Sequence, residues 1–456
     1  MQQADPEQTR HWHFIGIGGI GMSALAEYLL RQGDSVSGSD LQENERFECL
    51  RQLGARITTP HAEELPTGID RVILSAAVPE SNRELVAARR QQLPISKRAQ
   101  LLGEISGRLK CLAVAGTHGK TGTSALLAET LQQLGESPTA FVGGVMRAAA
   151  SNLLVGSGEL CVCEADEYDR SFLELHPQLA LITSLDHDHT DIYPDREALE
   201  AALLAFCRQC DLVIHHDEPR LNRLVDKAGR PFRRLGKDDW QLLSLEPRPV
   251  GQQVVYRLGG RERTFKLPLA GRHQAANALL VLALLWELGL DLTAAEAALA
   301  RFSGVSRRME TILTTGNGVL LDDYAHHPAE IEAVLAALPA AVHVIFQPHT
   351  YTRTRDFAGA FAEALTAAAS VYLLPIFPAR EQPLPGIDSE LIADEMRKIS
   401  YQPVNCGEDP LPHLERYFTL GETIITLGAG DIWQWHPQLQ QFLEICRPVQ
   451  SDGAVS

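Results

Sequence analysis

One segment of the sequence combines glycine, lysine and threonine in a pattern that suits phosphate binding. Gly116, Gly119, Lys120 and Thr121 follow an apolar stretch and precede a run of helix-forming residues. In such a loop, backbone N–H groups surround phosphate oxygens, the lysine reaches the β- and γ-phosphates, and the hydroxyl ligates Mg²⁺. Val114 stands where the complete G-x-x-x-x-G-K-[ST] motif has its first glycine. The segment favours phosphate binding over an ordinary turn, although the motif is only partly matched.

Two acidic clusters, Glu164–Asp169 and Asp186–Asp191, lie further along the chain, each after an apolar stretch. Carboxylates packed this closely repel one another unless a cation neutralises them. Mg²⁺ prefers oxygen ligands and also binds substrate phosphates. A solvated acidic loop is the alternative for each cluster. The nearby phosphate-binding segment favours a Mg²⁺ site over a solvated acidic loop. It also favours Mg²⁺ over zinc.

A second glycine turn stands near the start of the chain. Gly16, Gly18 and Gly21 follow an apolar strand and open a helix, and Asp40 ends the next predicted strand. Glycines so spaced let the backbone approach a pyrophosphate at a helix N-terminus, and the acid suits a ribose hydroxyl. Three interpretations remain open: a nicotinamide dinucleotide, another diphosphate-linked ligand such as a UDP-sugar, or glycines that serve only close packing.

Two further polar clusters, Asp322–Pro328 and Gln347–Arg355, each follow an apolar stretch in the last third of the chain. Their arginine and histidine side chains suit carboxylate or phosphate groups. Either cluster alone is weak evidence. Together they predict a second ligand site, separate from the phosphate-binding segment.

The polar clusters must be positioned by the ends of strands. The sequence predicts strand–turn–helix units repeatedly along the chain. The alternation predicts an α/β fold with parallel sheets and crossover helices. Within it, Gly259–Gly260 predicts the turn of an antiparallel hairpin, and Gln274–Gly289 predicts a long helix. The fold class is α/β with three domains: N-terminal Rossmann-like, central P-loop, and C-terminal Rossmann-like. The predicted boundaries are 1–107, 108–314 and 315–456, the last with a short disordered tail, Arg447–Ser456.

The composition narrows the classes of partner. The 456 residues carry a formal charge of −17, which argues against nucleic acid along a basic face. No apolar run reaches the length of a membrane span, and the polar N-terminus has no signal core, so we expect a cytoplasmic protein without membrane partners. The eight cysteines are scattered; Cys207 and Cys210 have no second pair at metal spacing and are interpreted as buried thiols.

Ten motifs, in order from His13 to about Trp433, give the chain a resemblance to a known family. They are HFIGIGGIGMSALAEYLL, VSGSD, GTHGKT, EADEYDRSFL, DHDHTDIY, GRHQAANA, FSGVSRRME, DDYAHHPAEI, FQPHTYTRTRDF and LGAGDI. In this order they resemble the Mur ligases, and GIGGIGMS is similar to the alanine-adding members. The resemblance implies a monomer or homodimer that joins L-alanine to UDP-N-acetylmuramate with ATP and two Mg²⁺ ions, through an acyl phosphate and a tetrahedral intermediate.

The resemblance also implies roles for particular residues. The residues implied to bind the UDP-sugar are Gly16, Gly18, Gly19, Gly21, Asp40 and Ser75. Those implied to bind ATP are Gly116, Thr117, His118, Gly119, Lys120, Thr121, Asn277, Arg308, Asp323 and Tyr324. The implied metal ligands are Thr121, Glu164 and His189. The implied catalytic residues are Lys120, His326, His349 and Arg353, with the choice of proton acceptor between the two histidines left open.

Two departures and two alternatives accompany this prediction. Ile192–Cys207 contains no lysine, whereas several relatives that add later amino acids carry a metal-binding carbamylated lysine there. Thr350 stands where some alanine-adding relatives have arginine, so one carboxylate contact is either missing or supplied by another residue. The first alternative function is the ligase that reattaches a recycled tripeptide to the same UDP-sugar. The second is an NAD-dependent oxidoreductase, which would leave the lysine loop and the acidic clusters unexplained.

Overall fold

The computed structural model describes residues 9–62, 64–186, 192–193, 195–236, 240–248, 251–338, 341–379 and 381–445. His189 and the tail Arg447–Ser456 lie outside these residues. The chain divides into two compact units, one of residues 1–268 and 275–304 and the other of residues 269–274 and 305–456. No helix in the described ranges is long and apolar enough to cross a membrane.

A parallel sheet of five strands, in the order β3-β2-β1-β4-β5, opens the first unit. Its strands are β1 (His11–Ile15), β2 (Ser35–Ser39), β3 (Arg56–Thr58), β4 (Arg71–Leu74) and β5 (Ile95–Lys97). The helices between them are α1 (Ile20–Arg31), α2 (Arg46–Gln52), α3 (Arg83–Arg90) and α4 (Arg98–Ser106). The central strand β1 is almost wholly buried, as expected for a parallel sheet covered on both faces.

A seven-stranded sheet, in the order β12-β11-β10-β6-β9-β7-β8, follows in the same unit. Its strands are β6 (Lys110–Ala115), β7 (Thr139–Met146), β8 (Ser151–Leu154), β9 (Leu160–Glu164), β10 (Leu179–Ile182), β11 (Leu212–His216) and β12 (Phe232–Leu235). The helices are α5 (Lys120–Gln133), a 3₁₀ helix (Tyr168–Glu174), α6 (Arg196–Gln209) and α7 (Pro219–Ala228). All pairs are parallel except β7 with β8. Because β6 lies between β9 and β10, the loops that follow these three strands meet at one edge.

A small antiparallel sheet completes the first unit. It comprises β13 (Trp240–Pro247), β14 (Gln252–Leu258) and β15 (Arg261–Leu267), and α8 (Arg272–Glu287) and α9 (Leu292–Leu299) follow it. The predicted Gly-Gly turn is confirmed, since Gly259 and Gly260 have φ of 54° and 78° between β14 and β15. In the structure, a third strand, β13, pairs with the predicted hairpin of β14 and β15. The sequence did not predict this strand.

The first two sheets share a continuous apolar core, which explains why they form one unit. Phe14 and Leu25 from the first sheet region belong to the same buried cluster as Phe141 and Phe172 from the second. Tyr28 on α1 packs edge-on against Phe141 at 5.6 Å. Lys97 also forms an ion pair with Asp169 at 2.9 Å. Packing therefore joins two regions that the sequence treats as separate domains.

The second unit contains a six-stranded sheet in the order β16-β17-β21-β18-β19-β20. Its strands are β16 (Glu310–Thr315), β17 (Gly318–Asp323), β18 (Val342–Phe346), β19 (Ser370–Leu373), β20 (Val404–Cys406) and β21 (Thr423–Leu427). Its helices are α10 (Pro328–Ala336), α11 (Tyr351–Leu365), α12 (Glu390–Ile399), α13 (Leu411–Tyr417), a 3₁₀ helix (Ile432–Trp435) and α14 (His436–Ile445). Only β16 runs antiparallel to its neighbour. The α/β fold prediction is confirmed.

Candidate active site

The turn between β6 and α5 depends on two glycines. Gly116 has φ of 122° and Gly119 has φ of 79°, values that L side chains rarely adopt. A β carbon on Gly119 would lie 2.6 Å from Nδ2 of Asn277, and one on Gly116 would overlap Oγ1 of Thr183. Steric exclusion thus fixes both glycines, and no side chain caps the start of α5 at Gly119. A backbone of this shape can surround a phosphate.

Lys120 begins α5 with its amine inside an acidic environment. Nζ lies 2.8 Å from one oxygen of Glu167 and 2.9 Å from the other, and it donates to the carbonyl oxygen of Gly116 at 2.8 Å. Burial alone would lower the pKa of Lys120, but the charges of Glu167, Asp166 and Glu164 outweigh it and raise that pKa. The amine is therefore held positive at the mouth of the loop.

Thr121 and Glu164 present adjacent oxygen atoms beside this lysine. Oγ1 of Thr121 donates to Oε1 of Glu164 at 2.8 Å, and the N–H of Gly143 donates to Oε2 at 2.6 Å. A β carbon on Gly143 would lie 2.5 Å from Oε1, so only glycine lets the carboxylate approach this strand. Burial raises the pKa of Glu164, partly opposed by the charge of Lys120. A bound cation would stabilise the ionised form of this buried carboxylate.

The loop is tied to the end of the neighbouring strand β10. The N–H of His118 donates to Oγ of Ser184 at 2.8 Å, and Oγ1 of Thr117 donates to the carbonyl oxygen of Asp186 at 3.0 Å. His118 lies 3.6 Å from the carboxylate of Asp186. The predicted ligand His189, three positions after Asp186 in the sequence, lies outside the described ranges. The strand that leads to the second acidic cluster thus positions the phosphate-binding loop.

Asn277 lies where the resemblance implies an ATP contact. Its side chain is buried, it touches the loop at Gly119, and its Oδ1 lies 3.4 Å from Nε2 of His216. Burial lowers the pKa of His216 to about 4, so this imidazole is neutral at physiological pH. The structure therefore brings Asn277 to the same loop as Lys120, although 157 positions separate them in the sequence.

The first glycine turn brings together most of its predicted residues. Gly16 has φ of 84°, and a β carbon there would lie 2.9 Å from Cβ of Ser75. The N–H of Gly18 donates to Oδ2 of Asp40 at 2.7 Å, so this carboxylate supports the turn itself. Gly19 is the N-cap of α1 and receives no side-chain cap. The start of α1 is left open at the position predicted for a diphosphate.

In the second unit, Asp323 ends strand β17 and Tyr324 directly follows it. The carboxylate of Asp323 accepts the N–H groups of Met309 at 2.7 Å and Ala325 at 2.8 Å. Burial nevertheless raises the pKa of Asp323 to about 6. The guanidinium of Arg308 lies over the ring of Tyr324, 5.0 Å from its centroid. These three predicted residues therefore form one cluster.

His326 and His349 form the other part of that cluster. Their rings are 5.6 Å apart, and His349 stacks on Phe377 at 5.8 Å. Burial, together with the charges of His326 and Arg353, lowers the pKa of His349 to about 3. Arg353 lies in the first turn of α11, where its N–H donates to Oγ1 of Thr350 at 3.4 Å. The predicted catalytic residues of this unit meet beside the ends of β17 and β18.

Three family models match the chain. They are described as "Mur ligase family, catalytic domain" over residues 11–109, "Mur ligase middle domain" over residues 114–285, and "Mur ligase, glutamate ligase domain" over residues 307–430. Together they cover well over half of the sequence.

The chain belongs to the Mur ligase family.

Comparison with individual relatives shows which kind of Mur ligase this chain is more similar to. It is 38% identical over 450 residues to the UDP-N-acetylmuramate–L-alanine ligase of Anaeromyxobacter sp. (strain Fw109-5), covering 95% of this chain and 97% of that one. The crystal structure of UDP-N-acetylmuramate-alanine ligase from Thermotoga maritima superposes with a TM-score of 0.81 at 32% identity, covering 95% and 99% of the two chains. The UDP-N-acetylmuramate:L-alanyl-gamma-D-glutamyl-meso-diaminopimelate ligase from Neisseria meningitides reaches 0.60 at 27% identity, covering 66% and 100%. The alanine-adding proteins are the more similar.

The Mur ligase structure also reveals residues that sequence reasoning missed. A β carbon on Gly21 would lie 2.8 Å from Nη1 of Arg98, so this guanidinium lies beside the first turn of α1. A cation is unfavourable at the positive end of a helix unless an anion joins it. The lysine-arginine pair at the start of α4 was the available signal. Arg98 is thus a further candidate for the diphosphate.

Arg307 is the second missed residue. Its guanidinium forms an ion pair with Asp322 at 3.0 Å and donates to the carbonyl oxygens of Gly430 at 3.0 Å and Gly428 at 2.6 Å. Asp322 is fully buried, and its other oxygen accepts the hydroxyl of Thr426 at 2.7 Å. Arg307 therefore joins the ends of β17 and β21, next to the residues predicted to bind substrates. Within the motif SRRME, the sequence prediction named Arg308 and passed over Arg307.

Proposed function

We propose that this chain joins L-alanine to the carboxylate of UDP-N-acetylmuramate and hydrolyses one ATP to ADP and phosphate for each bond formed. The observation that carries the proposal is the glycine loop after β6, in which Lys120 and Thr121 face Glu164 and Glu167. The names of the relatives support the choice of L-alanine. ATP dependence is a property of the family to which the chain belongs.

The loop residues supply the electrostatics of the first step. A carboxylate oxygen of UDP-N-acetylmuramate forms a bond to the γ-phosphorus of ATP, the bond to the β–γ bridging oxygen breaks, and ADP leaves. Lys120 stabilises negative charge on the phosphate oxygens, because its amine is already positive and preorganised. The step replaces an oxide leaving group, which a carboxylate cannot expel, with phosphate.

Mg²⁺ fits the oxygens beside this lysine. Thr121 and Glu164 offer a hydroxyl and a carboxylate held 2.8 Å apart, and hard oxygens of this type suit Mg²⁺. In the described ranges no three His, Cys, Asp or Glu side chains converge as a complete ligand set. Phosphate oxygens, water and the predicted ligand His189 would supply the remaining ligands of a bound Mg²⁺. Mg²⁺, when bound, supplies charge neutralisation for the transferred phosphoryl group.

A neutral imidazole suits the second step. The ammonium of L-alanine must lose a proton before its nitrogen attacks the acyl carbon, and the tetrahedral intermediate then expels phosphate. His349 is neutral at physiological pH because burial lowers its pKa to about 3, and the same shift makes it a weak base, so the choice of proton acceptor between His326 and His349 stays open. We propose that the cluster of His326, His349 and Arg353 receives L-alanine, with Arg353 pairing with its carboxylate. Asp323, Tyr324 and Arg308 are proposed to contact ATP.

The open start of α1 is the proposed site of the UDP-sugar diphosphate. Gly16 and Gly18 allow close approach of the backbone, Ser75 lies against the turn, and Arg98 supplies positive charge. The predicted segments 1–107, 108–314 and 315–456 are proposed to carry the UDP-sugar, ATP and amino-acid functions in that order.

A phosphate-release assay tests the proposal. Purified protein is mixed with ATP, Mg²⁺ and UDP-N-acetylmuramate, and release is compared with L-alanine, with the L-alanyl-γ-D-glutamyl-diaminopimelate tripeptide, and with neither. We expect release that depends on L-alanine and is lost in Lys120→Met. Release only with the tripeptide would reassign the chain to the recycling reaction. Absence of release with both amines, together with a change in NADH absorbance, would replace the ligase by an oxidoreductase.

A further inference from the structure

A cavity of about 630 Å³ lies in the first unit, away from every residue assigned above. Its walls are the edge strand β12, the turn between β14 and β15, and the region where α8 ends and α9 begins. β12 stands three strands from β6 in the sheet order, or about 14 Å at the usual strand spacing. The volume falls within the range of small-molecule sites, about 300–1,000 Å³.

Four arginines line this cavity: Arg233, Arg234, Arg261 and Arg263. Such a concentration is unusual for a chain with a formal charge of −17. Three of them have carboxylate partners: Arg233 with Glu287, which also lines the cavity, at 2.6 Å, Arg234 with Asp226 at 3.4 Å, and Arg263 with Glu296 at 2.8 Å.

Arg261 differs from the other three. Within the part of the chain that the structure describes, its guanidinium makes no hydrogen bond or ion pair. Each guanidinium also carries five N–H groups, more than one carboxylate can occupy. The cavity therefore has unused donors for an anion, and Arg261 is the principal one.

Two tryptophans supply a flat apolar surface in the same cavity. Trp286 is 52% exposed although it is a large apolar side chain. Trp240 is buried and stacks parallel on Tyr256 at 5.7 Å, which fixes its ring. Indole faces favour planar rings, and the combination with arginine is typical of sites for aromatic anions.

We propose that this cavity binds a planar aromatic molecule with one anionic group, its ring against Trp286 and its phosphate, sulfonate or carboxylate at Arg261. Nucleoside monophosphates belong to this class. The proposal does not depend on the proposed function, because no residue of the ATP or UDP-sugar sites lines the cavity.

The test uses 8-anilinonaphthalene-1-sulfonate, a fluorescent anion with a planar naphthalene ring, with the full chain in saturating ADP and Mg²⁺. We expect saturable binding to one site, with energy transfer from tryptophan. Arg261→Ala should weaken binding about fivefold, and Trp286→Ala about tenfold. Arg257→Ala, on the neighbouring strand β14 and paired with Glu262, is the matched control and should bind as the wild type does. Both target side chains are exposed, so we expect these variants to fold normally.

Two further measurements make the test specific. UMP should displace the probe at a concentration at least tenfold lower than inorganic phosphate does, because only UMP carries a ring. Equal displacement by both would overturn the role of the indole. Unsaturable binding, or unchanged affinity in both Arg261→Ala and Trp286→Ala, would overturn the site itself. L-alanine-dependent phosphate release should be normal in Arg261→Ala, so the outcome is separate from that of the ligase assay.

Discussion

The two units treat charge in opposite ways at the ends of their central strands. In the first unit, Lys120 is buried among acids that raise its pKa, so it stays charged. In the second unit, burial lowers the pKa of His349 to about 3 and raises that of Asp323 to about 6, which favours the neutral forms of both groups. One site keeps a charge by pairing it. In the other, removal of water keeps the imidazole neutral and makes the carboxyl a weaker acid, although that carboxyl is still mostly ionised at neutral pH.

The difference matches the chemistry proposed for each unit. Phosphoryl transfer needs fixed positive charge, because negative charge is present before and during the step. Proton removal from an ammonium needs a neutral acceptor, and removal of water keeps the imidazole of His349 neutral, although the same desolvation weakens it as a base. The backbones differ as well: the first unit forms its loop with glycines at positive φ, whereas the second places Arg307 at φ of 61° and Thr350 at φ of 66°.

Lys120→Met should give the largest effect. We expect turnover to fall by about 10³-fold or more, because a preorganised charge on the transferred phosphoryl group is lost. The variant should also lose stability, by about 3 kcal/mol, because the buried carboxylate of Glu167 no longer faces an ammonium. Phosphate release and urea unfolding measure the two losses.

The double variant Lys120→Met/Glu167→Gln separates them. Neutralising the glutamate should restore most of the stability without restoring turnover. If the double variant is as unstable as Lys120→Met alone, charge pairing is not what stabilises this region, and the contrast with the second unit fails.

Arg307→Ala tests whether the second unit also depends on one paired charge. We expect a loss of about 3 kcal/mol in the unfolding free energy, because Asp322 is fully buried and the carbonyl oxygens of Gly428 and Gly430 lose their donor. The adjacent Arg308→Ala is the matched control and should cost less than about 1 kcal/mol, since that side chain stacks on Tyr324. Chemical denaturation monitored by circular dichroism gives both values. Similar losses in the two variants would contradict the role of Arg307.

Local sequence signals predicted several elements and loops of this fold correctly. Apolar strands followed by glycine turns identified β1 and β6, and the paired glycines identified the turn between β14 and β15. These features depend on residues close together in sequence, where backbone preference and periodicity decide the structure. The family prediction rests on the same local motifs and is confirmed by the family models.

Contacts between distant residues were not predictable in this way. Glu167 lies 47 positions after Lys120, and Gly428 lies 121 positions after Arg307. No spacing rule brings such pairs together, because the sheet order decides which loops meet. The packing of the first two sheets into one unit has the same origin: it follows from the shared core around Phe14 and Phe141, which no single motif encodes. The roles of the individual site residues remain predictions.

The pH dependence of stability tests the neutral state of His349. Because its folded pKa of about 3 lies below the unfolded value of about 6.5, this group stabilises the fold fully above pH 6.5 and progressively less as the pH falls. Between pH 6.5 and pH 4.5, wild type should lose up to about 1.4 kcal/mol per pH unit relative to His349→Gln. Urea unfolding at several pH values measures the unfolding free energies of wild type and His349→Gln. Contributions from other titrating groups, such as Asp323, cancel in the difference between the two.

His176→Gln, at an exposed position, serves as the control and should follow the wild-type curve. A constant difference between wild type and His349→Gln across this pH range would mean that His349 takes up a proton in the folded state as readily as in the unfolded state. The desolvation assigned to His349, and with it this half of the contrast between the two units, would then be wrong.

Thr350→Gly addresses the backbone half of the comparison, with the smallest expected effect. Thr350 has φ of 66° and ψ of 146° at the N-cap of α11, a conformation that is costly for a β-branched residue. Its hydroxyl accepts only a long hydrogen bond, 3.4 Å from the N–H of Arg353, so little capping energy is lost on substitution. We expect Thr350→Gly to raise the unfolding free energy by about 1 kcal/mol after the entropic cost of glycine. Thr350→Ala keeps the β carbon but loses the hydroxyl, and it should destabilise slightly. If glycine destabilises as much as alanine does, the positive φ carries no strain, and the second unit holds this turn without the steric cost that the first unit avoids with Gly116 and Gly119.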